Sequence, residues 1–194
     1  MRKLGVFLSI SVDGYFADSS GDMSWAHDRD PEFYTFLADN ASSGSELVMG
    51  RRTYDLMSAY WPTDFARQND PALATAMNSL PKIVFLRTIR EAGWNNTRLV
   101  KTDPIEAVRA LKREEGQEMV VLGSGSIVRL LAQAGLVDTF QFVIVPLALG
   151  AGRSVFAGLS ERLRLEPIGS QRFGNGNVAL TYVPVTGANG SPVG

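Results

Sequence analysis

The sequence predicts an α/β fold, with a mostly parallel central sheet covered by helices on both faces and an antiparallel hairpin at its C-terminal end. Short apolar runs alternate with segments of helical spacing for the first two-thirds of the 194 residues, the pattern of successive strand–helix–strand units. Three Asp-Pro pairs, Asp30-Pro31, Asp70-Pro71 and Asp103-Pro104, fall between those runs and read as helix starts. The last third turns to strand-like segments around Gly174-Asn175-Gly176-Asn177, a hairpin signal.

In chain order, residues 4–10 come first. Met1-Arg2-Lys3 before an apolar run resembles the start of a signal peptide. Gly5, Ser9 and Ser11 interrupt the run, however, and Asp13-Gly14 ends it without a small-residue cleavage site, so it reads as a strand. Further strands are expected at 46–49, 82–86, 98–100 and 119–122. In each Asp-Pro pair the aspartate accepts from free N–H groups, and the proline stands where an N–H would have no helical partner. Glu106 completes a box-like pattern with Asp103, and Ile105, Val108 and Leu111 give that helix an apolar face. Ile127, Leu130, Leu131 and Ala134 repeat the spacing in the next helix, which Gly135 stops. Strands at 139–146 and 163–173 follow, and 178–184 pairs back across the turn. With no internal repeat or linker, residues 1–186 are expected to form one domain. The Gly-, Asn-, Ser- and Pro-rich stretch 187–194 is expected to be a flexible tail.

Composition narrows the function. A domain of this length buries on the order of 70% of its unfolded surface, so it needs no staples. The absence of cysteine excludes a disulfide framework, a thiolate metal site and a cysteine nucleophile. A single histidine, His27, argues against a histidine-built zinc site, and no metal is expected. His27 itself reads as a loop residue facing solvent. The net charge of −1, without any basic block, offers nothing to nucleic acid or an anionic membrane. No run of about 18 apolar residues exists to span a bilayer. The expectation is a soluble cytoplasmic protein acting on a small molecule.

Three strand ends carry turns suited to phosphate. Gly50-Arg51-Arg52-Thr53 follows the second strand, Leu86-Arg87-Thr88 the third, and Gly123-Ser124-Gly125-Ser126-Ile127 the fifth. Glycine lets a ligand approach the backbone, a helix start offers unpaired N–H groups, and arginine grips phosphate bidentately. In open α/β sheets ligands bind at the carboxyl ends of the strands, where all three turns lie. The dinucleotide fingerprint of a Rossmann dehydrogenase is not met: Val128 replaces its third glycine, and the turn follows the fifth strand instead of the first.

In this order the turns resemble dihydrofolate reductase over nearly the whole chain. The resemblance implies a three-layer fold with a sheet of about eight strands and an NADPH cofactor. It also implies that Gly50-Arg51-Arg52-Thr53 holds the pyrophosphate and adenosine phosphate, that Leu86-Arg87-Thr88 contacts the ribose and 2′-phosphate, and that Gly123-Ser124-Gly125-Ser126 lies under the pyrophosphate with a cis Gly123–Ser124 bond. Closer still is the branch of the riboflavin-biosynthesis reductase domain. Ser9-Ile10-Ser11-Val12-Asp13-Gly14-Tyr15-Phe16-Ala17 looks like its Ser-x-Asp-Gly-x-x-Ala signature. Gly135-Leu136-Val137-Asp138 and the stretch from Val145-Pro146 through Gly150-Ala151-Gly152 to Val155-Phe156 look like its late helix, strand and glycine-rich loop. Two departures leave the substrate open. No residue of Asp28-Arg29-Asp30-Pro31-Glu32-Phe33-Tyr34 falls clearly where dihydrofolate reductases carry their substrate carboxylate, since Asp30 is explained as a cap and Glu32 as a first-turn charge. Leu122 also stands where the riboflavin-pathway enzymes carry an acidic residue.

The expected mechanism is hydride transfer, in which the protein mainly positions the reactants. The 2′-phosphate would meet Arg51 and Arg87, the nicotinamide a floor of Leu8, Ser9 and Ile144, and a flat pterin- or pyrimidine-like substrate the side of Trp25 and Phe33. Asp13 either orients or protonates the substrate or forms an Asx-turn with Gly14; water is the other proton source. Two rival expectations are a catalytically inactive nucleotide- or pterin-binding module and a flavin-binding α/β protein. The apolar run 140–145 is either core or part of a homodimer interface, and members of the riboflavin branch commonly dimerise.

Overall fold

The computed structural model describes residues 1–27, 30–86 and 91–185. Asp28, Arg29, Arg87, Thr88 and the tail lie outside them. The chain runs through β1 (Leu4–Ser11), β2 (Tyr15–Ala17), a single 3₁₀ turn (Ser24–Ala26), α1 (Pro31–Ser42), β3 (Glu46–Gly50), α2 (Arg51–Tyr60), α3 (Asp64–Asn69), α4 (Pro71–Ser79), β4 (Lys82–Phe85) and β5 (Thr97–Val100). It continues through α5 (Pro104–Leu111), β6 (Met119–Leu122), α6 (Gly125–Gln133), β7 (Thr139–Val145), β8 (Arg153–Ser154), β9 (Leu165–Arg172) and β10 (Val178–Pro184). Eight strands form one sheet in the order β5-β4-β3-β6-β1-β7-β10-β9. Pairing is parallel from β5 across to β7, and β10 runs antiparallel to both β7 and β9.

Strand alternation sorts side chains onto two faces. Leu4, Val6 and Leu8 of β1, with Phe140 and Phe142 of β7, pack against Val108 and Leu111 of α5 and Val128 and Leu131 of α6. The intervening residues point the other way: Phe7, Val143 and Val145 meet Phe33 and Phe36 of α1. Farther along that face, Leu47, Met49 and Val84 meet Tyr54 of α2 and Met77 of α4. The molecule is therefore three layers, as the alternating pattern predicts.

Two of the three Asp-Pro starts behave as capped helices. Asp30 accepts from Phe33 N at 2.9 Å, and Asp103 from Ile105 N and Glu106 N at 2.9 and 3.2 Å. Asp70 departs from the pattern. It ends α3 as well as starting α4, and its carboxylate accepts instead from the Tyr60 hydroxyl at 2.6 Å. Gly135, at φ +66°, ends α6 as expected. The sequence did not announce α3, nor the separate two-stranded sheet of β2 and β8, because segments of two to six residues carry too little periodicity to read. Among the described residues no helix is long and apolar enough to cross a membrane, and no cluster of His, Asp or Glu is placed to hold a metal.

Candidate functional site

β3 and β6 are parallel neighbours, yet the chain leaves them toward opposite faces, into α2 and α6. Two helix N-termini with unpaired N–H groups therefore open side by side at the carboxyl edge, the switch-point position where open α/β sheets take ligands. Side chains join the two turns. Ser124 N donates to Thr53 Oγ1 at 3.1 Å, the Ser124 hydroxyl donates to the same oxygen at 2.7 Å, and Gly50 N donates to Ser124 Oγ at 2.9 Å. Thr53→Val keeps the shape and removes the shared acceptor. It is expected to cost about 1–3 kcal/mol in urea unfolding, because a part-buried N–H and a hydroxyl lose their partner.

The Gly123-Ser124 turn is built without a cis peptide bond; none occurs among the described residues. Gly123 at φ +60° and Ser124 at φ +54° both adopt the left-handed region. Two successive left-handed residues reverse the chain with trans bonds, which corrects the cis bond expected from the family resemblance.

Above these turns lies a cavity of about 240 Å³, walled by Arg52, Thr53 and Leu56 of α2, by Ser124, Gly125 and Ser126, and by residues of β2 and β8. Arg52 and Arg51 behave differently. The Arg51 guanidinium pairs with Asp55 at 2.8 Å on the exposed side of α2. Arg52 reaches the cavity and donates to the Ser20 carbonyl at 3.2 Å. Gly21, at φ +88°, lies flat against its guanidinium: a Cβ there would fall 2.6 Å from Arg52 Cζ. Asp18 shapes this loop by accepting from Ser20 Oγ, Gly21 N and Asp22 N at 2.7–2.8 Å, and these bonds, the Ser20 hydroxyl foremost, hold its carboxyl below the ordinary range. The Asp18-Ser19-Ser20-Gly21 stretch is an Asx-turn signature that could have flagged this loop. Phe16, Arg129 and Arg153, which also line the cavity, had no comparable local signal.

The remaining candidates divide. Ile127 packs over Gly50, where a Cβ would lie 3.3 Å from Ile127 Cγ1. Leu86 is buried in the α2–α4 core, and Arg87 and Thr88 fall outside the described residues. Register pairs Ser9 with Val143 and Ile10 with Ile144, so Ser9 faces α1 while Leu8 and Ile144 face α5 and α6. Trp25 and Phe33 stand on the α1 side, opposite Ile144. Phe33 is 1% exposed, its ring edge-on to Phe173 at 5.1 Å, so it backs the core. His27 is exposed.

Asp13 is tied down on both oxygens. Oδ1 accepts from the Ser11 hydroxyl at 2.6 Å and Leu149 N at 3.1 Å, and Oδ2 accepts from Gly150 N at 2.7 Å. The Ser11 bond first, then the two amides, outweigh partial desolvation and lower its pKa, so it is a carboxylate at neutral pH. Tyr15 N donates to Ser11 Oγ at 3.0 Å and Gly14 N to the Ser11 carbonyl at 2.9 Å, so Ser11 closes the turn, and of the two alternatives for Asp13 the Asx-turn with Gly14 is not formed.

Comparison with known proteins agrees with this architecture. A Bacillus subtilis protein, YyaP, is 28% identical over 93% of this chain and 94% of its own length. A structure described as a putative riboflavin biosynthesis protein from Shewanella sp. PV-4 superposes with a TM-score of 0.73 at 24% identity, covering 95% of this chain and 99% of that one. A Thermotoga maritima diaminohydroxyphosphoribosylaminopyrimidine deaminase/5-amino-6-(5-phosphoribosylamino)uracil reductase superposes with a TM-score of 0.67 at 14% identity, over 95% of this chain and 57% of that larger one. At these identities the two structures establish a shared fold. The family model for the RibD C-terminal domain matches residues 2–179, nearly the whole chain, and the protein belongs to that family.

Proposed function

We propose that the protein is an NADPH-dependent reductase that passes hydride to a small pterin- or pyrimidine-like heterocycle. The observation that carries this reading is the pair of helix N-termini at β3 and β6, joined through Thr53 and Ser124, with Arg52 turned into the cavity above them. Unpaired N–H groups and a guanidinium with no acidic side chain in the lining form a phosphate-binding environment, so the residues present fit a dinucleotide. When bound, the nicotinamide would supply the hydride. Gly125 and Ser126 would hold the pyrophosphate from the backbone, with Ser124 fixing the turn through Thr53. Arg52 would neutralise it, and Leu56 and Phe16 would exclude water. A substrate ring would reach the carboxyl edge on the Trp25 side of the sheet. With Asp13 ionised and doubly engaged, the proton comes from water.

Titration with NADPH and with NADH, read as thermal stability, tests this. A ligand at about 100 times its dissociation constant stabilises by about 2.7 kcal/mol. Stabilisation by NADPH that weakens about tenfold in affinity with Arg52→Ala is expected. No response to either nucleotide would reject the reductase reading. Binding without turnover across a panel of pterins and pyrimidines would support the non-catalytic binding module.

A further inference from the structure

Two arginines not used in that scheme face the same cavity. Arg129 comes from the second turn of α6 and Arg153 from β8. Arg129 commits one N–H to the Ala157 carbonyl at 2.7 Å, leaving four others. Among the described residues, Arg52, Arg129 and Arg153 have no carboxylate partner, and no acidic side chain lines the cavity. Like charges gathered around one cavity repel unless an anion sits among them.

The placement of Arg153 depends on contacts away from the cavity. β8 pairs with β2, Ala17 opposite Arg153 and Tyr15 opposite Ser154. Gly152 makes that approach possible, since a Cβ there would overlap the Ala17 carbonyl oxygen. The segment leading into β8 is fastened to the end of β1 by Val12 N, which donates to the Leu147 carbonyl at 2.9 Å, and by the two amides on the Asp13 carboxylate. Among the described residues the Asp13 carboxylate is bonded to Ser11, Leu149 and Gly150, none of which lines the cavity.

We infer that Arg129 and Arg153 complete, with Arg52, a three-arginine wall for a phosphoryl group, and that Asp13 is the positioning residue that seats β8 so that Arg153 faces it. The inference rests on the reductase reading only for the source of the phosphoryl group, which a dinucleotide or a phosphorylated substrate can each supply.

The test uses the whole chain and its R129A, R153A, D13A and D13N variants, titrated calorimetrically with NADPH and separately with ribose 5-phosphate. R129A and R153A are each expected to weaken the ligand that binds by about tenfold, the value of one charge-assisted contact. D13A should reproduce the R153A loss, and adding R153A to D13A should lose little more, because both remove the same interaction. D13N keeps an accepting oxygen and should recover part of the affinity. If NADPH binds the wild type but R129A, R153A and D13N leave its affinity unchanged, the inference is overturned and the cofactor reading survives. A lowered melting temperature in D13A and D13N with unchanged affinity overturns the role given to Asp13. Ribose 5-phosphate binding that these variants lose, without NADPH binding, upholds the arginine wall and rejects the dinucleotide. If neither compound binds the wild type, both readings fall.

Discussion

Gly125→Ala is expected to destabilise the protein and to weaken NADPH at least tenfold, and Phe16→Ala is expected to reverse the loss of stability. Two effects compete at this first residue of α6. Alanine is favoured over glycine in a helix by roughly 0.5–1 kcal/mol. Against that, a Cβ on Gly125 would fall 2.6 Å from Phe16 Cζ and 3.0 Å from Cδ1, well inside contact distance. Overpacking of this kind costs about 1–3 kcal/mol, so the clash wins. Phe16 is partly buried against the α5–α6 core and walls the cavity. Displacing the ring therefore alters the wall of the cavity that the cofactor would use. In the Phe16→Ala background the clash is gone and only the helix preference remains, so Gly125→Ala should become neutral or stabilising there. Urea unfolding of the four proteins of this double-mutant cycle checks the sign. A single Gly125→Ala protein as stable as the wild type would show that the ring swings away freely, and the account would fail.

That pairing of Gly125 with Phe16 was not legible in the sequence, and the reason is general for this site. Elements with a full period were readable: β6 and β10 have the bounds their apolar patterns predict, and Asp30 and Asp103 cap as their spacing implies. The strand-to-helix turns at Gly50 and Gly123 were readable too, because glycine after a strand and before a helix has a local meaning. What joins them is not local. Thr53 and Ser124 meet across 71 positions of sequence, and Asp70 loses its capping role to Tyr60 on another helix. Adjacent arginines at a helix start differ by about 100° of rotation, so only the packed helix shows that Arg52 faces the cavity; the Arg51–Asp55 pair, at four-residue spacing, was the available clue. Ser9 and Ile144 were expected to share one floor with Leu8. The register that sets them on opposite faces belongs to the pairing of β1 with β7, which neither strand encodes alone. Arg129 and Arg153 stand in no local motif and come together only in the fold, Arg129 from α6 and Arg153 where β8 folds back on β2.

The stability of the protein is expected to rise between about pH 8 and 10.5 through one residue, Lys82. This lysine opens β4 and is fully buried. Its ammonium donates to the carbonyls of Leu80, Asn95 and Asn78 at 2.7, 3.2 and 3.4 Å and lies 4.3 Å from the centre of the Trp94 ring. Trp94 is held in turn by its Nε1–H on Asn78 Oδ1 at 2.7 Å. No carboxylate balances the charge among the described residues. Burial therefore pushes the ammonium down from its ordinary 10.5 to about 8. In that window the unfolded chain still holds the proton while the folded protein releases it, so the unfolded state binds more protons and raising the pH favours the fold. The full displacement corresponds to on the order of 3 kcal/mol. The three carbonyls and the ring favour the charged form and act against it, which places the expected gain at roughly 1–3 kcal/mol. Tyrosines and surface lysines titrate in the same range, so the informative quantity is the wild-type stability minus that of Lys82→Met, followed by urea unfolding from pH 7 to 10.5. That difference should climb with pH, because methionine fills the space without a proton to lose. A flat difference would mean that the carbonyl cage and Trp94 hold Lys82 charged throughout, and that the buried ammonium behaves as a satisfied cation at the start of β4.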